Sequence, residues 1–100
     1  QWHVSFHGHS HRPCIWRADG LVRGPASSPV RLSAQTKYSV NVGSVGQPRD
    51  GDPRACYVLY DVKERVLCHR RVSYDVEKAQ ERFRKAGLPE QNRLRIRAGK

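Results

Sequence analysis

Two runs with strong β character, Ala55-Cys56-Tyr57-Val58-Leu59-Tyr60-Asp61 and Arg65-Val66-Leu67-Cys68-His69-Arg70-Arg71-Val72, are separated only by Val62-Lys63-Glu64. Runs rich in β-branched and aromatic residues, joined by so short a link, predict an antiparallel hairpin. The segment after this hairpin reads as helical: Asp75 is a good N-cap, and Val76, Ala79, Phe83 and Ala86 fall on one helical face before Gly87 stops it. That helix needs a sheet face to bury Phe83, and the hairpin offers one.

Before the hairpin the chain reads as short strands between turns. Residues 2–6 alternate and run into Gly8, and Pro13 biases Arg12 away from helical geometry, so residues 8–13 form a loop. Cys14-Ile15-Trp16-Arg17 is a short strand closed by Asp19-Gly20, and Leu21 to Pro29 is an exposed loop. Val30-Arg31-Leu32-Ser33 and Tyr38-Ser39-Val40-Asn41-Val42 supply further strands. Between Gly43 and Pro53 the breakers Gly43, Gly46, Pro48, Gly51 and Pro53 exclude any regular element. The expected fold is α+β, mostly β, with five or six strands and one C-terminal helix; residues 89–100 read as a basic, weakly patterned tail.

The chain has 100 residues, no Met, and Gln1 is not a translation start, so it reads as a piece cut from something longer. No apolar run approaches the roughly 18 residues of a membrane helix, which predicts no membrane partner. Cys14, Cys56 and Cys68 are odd in number and lack CxxC spacing, as expected of free thiols in the cytoplasm. With 19 Lys and Arg against 9 Asp and Glu, the net charge of +10 favours anionic partners: phosphate esters, nucleotides or nucleic acid.

Chemistry concentrates in Phe6-His7-Gly8-His9-Ser10-His11-Arg12-Pro13. Imidazole is a common metal ligand because it is largely neutral near pH 7, and histidines two apart on an extended segment point the same general way. A tight Gly turn after a strand would let His9 and His11 reach two adjacent cations. His3 and His69 sit within strand patterns and read as structural or exposed, and His7 as facing away from His9. In the loop Asn41 to Arg54, small residues let backbone N–H groups approach an anion, and Arg49 and Arg54 could fork onto phosphate oxygens. The opposing reading pairs the loop's Arg and Asp residues with one another. Neither a P-loop nor a dinucleotide fingerprint occurs there.

Gly8-His9-Ser10-His11-x-Pro13 resembles the last metal motif, Gly-His-(Thr/Ser)-His, of the calcineurin-like metallophosphoesterases. Asn41-Val42-Gly43-Ser44-Val45-Gly46-Gln47-Pro48-Arg49 resembles the Asn-Pro-Gly-Ser-Val-Gly-x-Pro-Arg segment of their small bacterial phosphodiesterase branch, with Val42 in place of Pro. The strand Ala55 to Asp61 and the closing helix match that branch's ending, so the resemblance runs from about Trp2 to Leu88. It implies the C-terminal part (1–88) of a β-sandwich flanked by helices, and a hydrolase with two divalent ions, drawn from Mn, Fe, Zn or Ni. His9 and His11 become ligands of different ions, and Asn41 and Arg49 match loop positions near the substrate. The family's upstream Asp-x-His, Gly-Asp and Gly-Asn-His segments are missing. Two imidazoles cannot hold two ions with an open position, so the expectation is a chain inactive alone that joins a missing N-terminal half or another chain. A non-catalytic module binding nucleic acid, with Trp16, Tyr57 and Tyr60 as stacking surfaces, is the alternative.

Overall fold

The computed structural model of the chain describes residues 3–100, so the expectations that fall on Gln1 and Trp2 lie outside it. Seven strands precede two helices: β1 Val4–His7, β2 Cys14–Arg17, β3 Val22–Arg23, β4 Val30–Arg31, β5 Tyr38–Asn41, β6 Ala55–Asp61, β7 Val66–Val72, α1 Val76–Lys85 and α2 Glu90–Ala98. They form a four-stranded sheet, order β1-β5-β2-β3, and a three-stranded sheet, order β4-β7-β6. The expected hairpin is there: β6 and β7 pair antiparallel from Ala55↔Val72 to Asp61↔Val66.

The core lies between the sheets. Ile15, Tyr38 and Val40 from the first sheet meet Leu67 from the second, with Ala26 and Leu32 from the connections. Val4, Val30, Val58 and Tyr60 pack around its margin. Mostly β is therefore the correct class.

β1 pairs in parallel with β5, from Val4↔Tyr38 to His7↔Asn41, while β2 pairs antiparallel with the other side of β5, starting at Cys14↔Asn41. The segment from Gly8 to Pro13 must therefore pass over the end of β5, directly above Asn41. That single topological fact builds the candidate site.

The helices depart from expectation in two ways. Asp75 does cap α1, accepting a hydrogen bond from the Lys78 N–H at 2.9 Å, and Leu88 N–H bonds back to Phe83 O beyond the turn. But α1 packs on α2 and not on the hairpin, and none of its residues is fully buried. Phe83 is only half-buried. The segment read as a weakly patterned tail is the second helix, α2, which supplies a fully buried Ile96. It covers the apolar stripe of α1 that the sheet was expected to cover, and the molecule is correspondingly long, 50 × 22 × 21 Å. No helix of the described residues is long and apolar enough to cross a membrane.

Candidate metal-ligand site

The turn after β1 does not bend where the sequence suggested. Gly8 has no positive φ; His9 (φ 80°) and His11 (φ 61°) do. Non-glycine residues in the left-handed region cost of order 1–3 kcal/mol and persist where surrounding contacts enforce them. Here the contacts can be named. Asn41, 1% exposed at the end of β5, donates from Nδ2 to Gly8 O (3.0 Å) and Ser10 Oγ (2.8 Å). Its Oδ1 accepts from Gly43 N–H at 2.9 Å. One buried amide thus ties the histidine loop to the loop that follows β5.

His11 is held from the other side. Its Nδ1 lies 2.7 Å from the Gln47 carbonyl oxygen, which can only accept, so Nδ1 carries the proton. That fixes a tautomer with the Nε2 lone pair free, the usual arrangement of a metal-binding imidazole. Arg49 N–H donates to His11 O at 3.1 Å, closing the same junction. His9 is exposed beside it. His9, His11, Asn41 and Arg49, picked out from two segments some thirty residues apart, therefore meet in one place.

The loop after β5 is itself pinned. Val42 N–H donates to His7 O at 2.9 Å, extending the parallel ladder by one bond. Proline, which the resemblance would put there, has no N–H to make it. Gly43 (φ 81°) lies so close to β6 that an added Cβ would stand 2.9 Å from both Cβ and Sγ of Cys56. Cys56 N–H donates to Ser44 O at 2.9 Å, and burial pushes the Cys56 thiol pKa up.

The loop's charged residues largely satisfy one another. The Arg54 guanidinium hydrogen-bonds both carboxylate oxygens of Asp52, at 2.7 to 3.2 Å, and holds that carboxyl down at about 2. Arg71, on β7, pairs with Asp50 and donates to Arg54 O at 3.1 Å. Arg54 is thereby engaged, so the expected fork onto phosphate is left to Arg49, whose Nε is buried without a hydrogen-bond partner. Sequence reading missed Arg71. Its only signal was a charge at an inward position of an alternating strand.

His69 plays a structural part. Its Nε2–H donates to Asn41 O at 2.9 Å and its Nδ1 accepts from Ala26 N–H at 3.0 Å, which requires the neutral ring. Burial is the main cause of its lowered pKa. His7 stacks on Trp16 of β2, with ring centroids 5.4 Å apart.

As a donor set, this chain offers two imidazoles. Among the described residues, no group of three or more His, Cys, Asp or Glu side chains is placed to hold a metal. His9 and His11 suit a metal centre as contributors; they do not complete one. Cys14, Cys56 and Cys68 are unpaired.

The chain matches no family model. It is 41% identical over 85 residues to an uncharacterized protein, MJ0912, of Methanocaldococcus jannaschii, covering 35% of that protein's length. Over its whole length it superposes on the crystal structure of a metallophosphoesterase from Sphaerobacter thermophilus with a TM-score of 0.92, at 35% identity and covering 43% of that protein. The fold is thus that of part of a metallophosphoesterase, the family its motifs resemble. The match is consistent with a C-terminal portion, and the chain spans less than half of either relative.

Proposed function

We propose that this chain is the part of a metal-dependent phosphoesterase that supplies two imidazole ligands and an arginine to the active site. The observation that carries the reading is the His11 junction: Nδ1 is spent on Gln47 O at 2.7 Å, and Nε2 is left as a ligand atom. The left-handed geometry of both His9 and His11 supports it, since such strain collects at functional sites. His9 and His11 would hold divalent ions together with ligands from outside the described residues, and such ions would supply water activation and positive charge at a phosphoryl group.

This chain's own contributions are narrower. His9 and His11 each offer one ligand nitrogen, to different ions. Asn41 fixes the loop that carries them, from below. Arg49, whose backbone N–H bonds His11 O and whose buried Nε has no hydrogen-bond partner, offers a guanidinium whose fork geometry suits phosphate oxygens. Phosphate esters, including nucleotides, are the proposed substrates, and the three free thiols accord with a cytoplasmic protein.

The nucleic-acid alternative finds no support: Trp16 is stacked on His7, and Tyr60 meets Phe6 edge-on at 5.7 Å, so two of the three proposed stacking surfaces are engaged internally. The test uses the longer protein that carries this segment. Metal-dependent hydrolysis of bis(p-nitrophenyl) phosphate should fall at least about a hundredfold in His11→Ala, a scale typical of lost metal-site groups. Turnover that survives the substitution sinks the role given to His11.

A further inference from the structure

At β3 and β4, the short edge strands of the two sheets, the sandwich parts over a hollow of about 230 Å³. Three arginines line it, Arg17, Arg23 and Arg31, and no carboxylate does. Its apolar lining includes Ile15, Leu32 and Tyr38, which belong to the buried core.

The strand register explains why arginines face inward here. Directly opposed residues of neighbouring strands share a face of the sheet. Arg23 pairs with Ile15, and Arg17 pairs with Tyr38. Ile15 and Tyr38 face the core, at 2% and 7% exposure, so both arginines leave their strands on that inner face. Trp16 and Val22, their neighbours in the chain and opposed to each other, take the outer face.

These charges are poorly compensated. Arg17 pairs with Asp19 at 2.7 Å and Arg31 with Glu64 at 3.4 Å, all four side chains being exposed. Exposed pairs of this kind hold only weakly, and each occupies a fraction of the guanidinium donors. The Arg23 guanidinium has no hydrogen bond or ion pair among the described residues. The Tyr38 hydroxyl accepts from Ser33 N–H at 2.9 Å, which leaves its own hydrogen to donate.

A recess with one sign of charge over an apolar floor concentrates counter-ions. We propose that this hollow binds a small organic anion, its carboxylate or phosphoryl head on the guanidiniums of Arg23 and Arg17, its apolar body on Leu32 and Tyr38. Guanidinium forks match both kinds of head. A volume below the roughly 300 Å³ at which drug-sized sites begin limits the body to about one ring. Tyr38 opens the strand that Asn41 closes, so the occupant rests on the strand that anchors the histidine loop. No histidine lines the hollow, and the site stands or falls apart from the hydrolase reading.

The test titrates the longer protein that carries this segment with phenylphosphonate and with benzoate, read by amide NMR shifts. At least one should shift the Arg23 and Leu32 amides saturably, and the tighter of the two identifies the head group. Its counterpart without an apolar body, inorganic phosphate or acetate, should bind about tenfold more weakly. Arg23→Gln should weaken binding about tenfold, as expected for a lost charge-assisted hydrogen bond. Val22→Gln, on the opposite face of the same strand, should leave it unchanged. Added Zn²⁺ or EDTA should make no difference. No saturable shift at those amides with either compound, up to about 10 mM, overturns the proposal. So does undiminished binding by Arg23→Gln. Equal affinity for the bare anion would mark an adventitious ion only, and shifts that require Zn²⁺ would assign the compound to a metal centre; either result sinks the site.

Discussion

β5 and β6 make an instructive pair. β5 has four residues, two of them polar, yet Tyr38, Val40 and Asn41 are buried. β6 has seven residues and far more apolar surface, yet Tyr57 and Leu59 stand in the open and only Cys56 is fully buried. The difference is position. β5 sits between β1 and β2 with the second sheet over it, whereas β6 has a neighbour on one side only. Burial follows from the number of covered sides, and the composition of a strand does not reveal it. Function follows the same division: the site grows from the end of the strand that is locked in, because only there can one side chain, Asn41, anchor two loops.

Substitutions should break this contrast in order of how much each position holds together. Asn41→Ala removes three hydrogen bonds and strands the buried Gly43 N–H, so it should cost about 3 kcal/mol in chemical denaturation. A cost under about 1 kcal/mol would mean that β5 is not the keystone described. Gly43→Ala places a Cβ against Cys56 at a φ of 81° and should cost about 2 kcal/mol. Here the informative comparison is with the double variant Gly43→Ala, Cys56→Gly, which should recover part of the loss if the clash matters more than the dihedral.

Acid should act through His69, whose ring bonds the backbone of Asn41. Its folded pKa lies below the ordinary 6.5, so the folded state resists protonation. The stabilisation it contributes is complete above about pH 6.5 and is lost as pH falls from there through the lowered folded value. Thermal midpoints measured from about pH 7.5 down to about pH 5 should decline over that window, and should decline less in His69→Gln. The smallest effect belongs to the open strand. Leu59→Ala, at a side chain 50% exposed, should cost about 0.5 kcal/mol or less. A larger loss would show β6 to be more covered in solution than its single neighbour implies.

What the sequence revealed was what short range decides. The β6–β7 hairpin needs only a link of three or four residues, and the Asp75 cap only its own helix's first turn, so both were legible. The histidine pair and Arg49 were legible as residue types; their meeting was not, since it depends on a parallel pairing of strands some thirty residues apart. α2 escaped notice because its residues 90–98 hold only Leu94 and Ile96 as large apolar side chains, too few to mark a stripe, and Ile96 is buried by tertiary context alone. The left-handed histidines were misplaced onto Gly8 for a related reason. Glycine is the usual residue for such dihedrals, but here side-chain anchors from Asn41 and the Gln47 carbonyl impose them on its neighbours.

The end of the chain carries one more consequence. Gly99, left-handed at φ 70°, lies against the Gly51–Asp52 backbone so closely that a Cβ would stand 2.7 Å from Asp52 N, and its carbonyl accepts from Gly51 N–H at 2.9 Å. That contact closes a span of 48 residues, longer than the 36 between His11 and Gln47. Assembly should therefore run in time from the hairpin, which forms in about 1–10 μs, through the histidine loop, to the seating of Gly99 last. In pulse-labelled exchange during refolding, the β6–β7 amides should gain protection first and Gly51 last; the reverse order would mean that the chain's end guides the loop from the outset, and does not merely latch it once made.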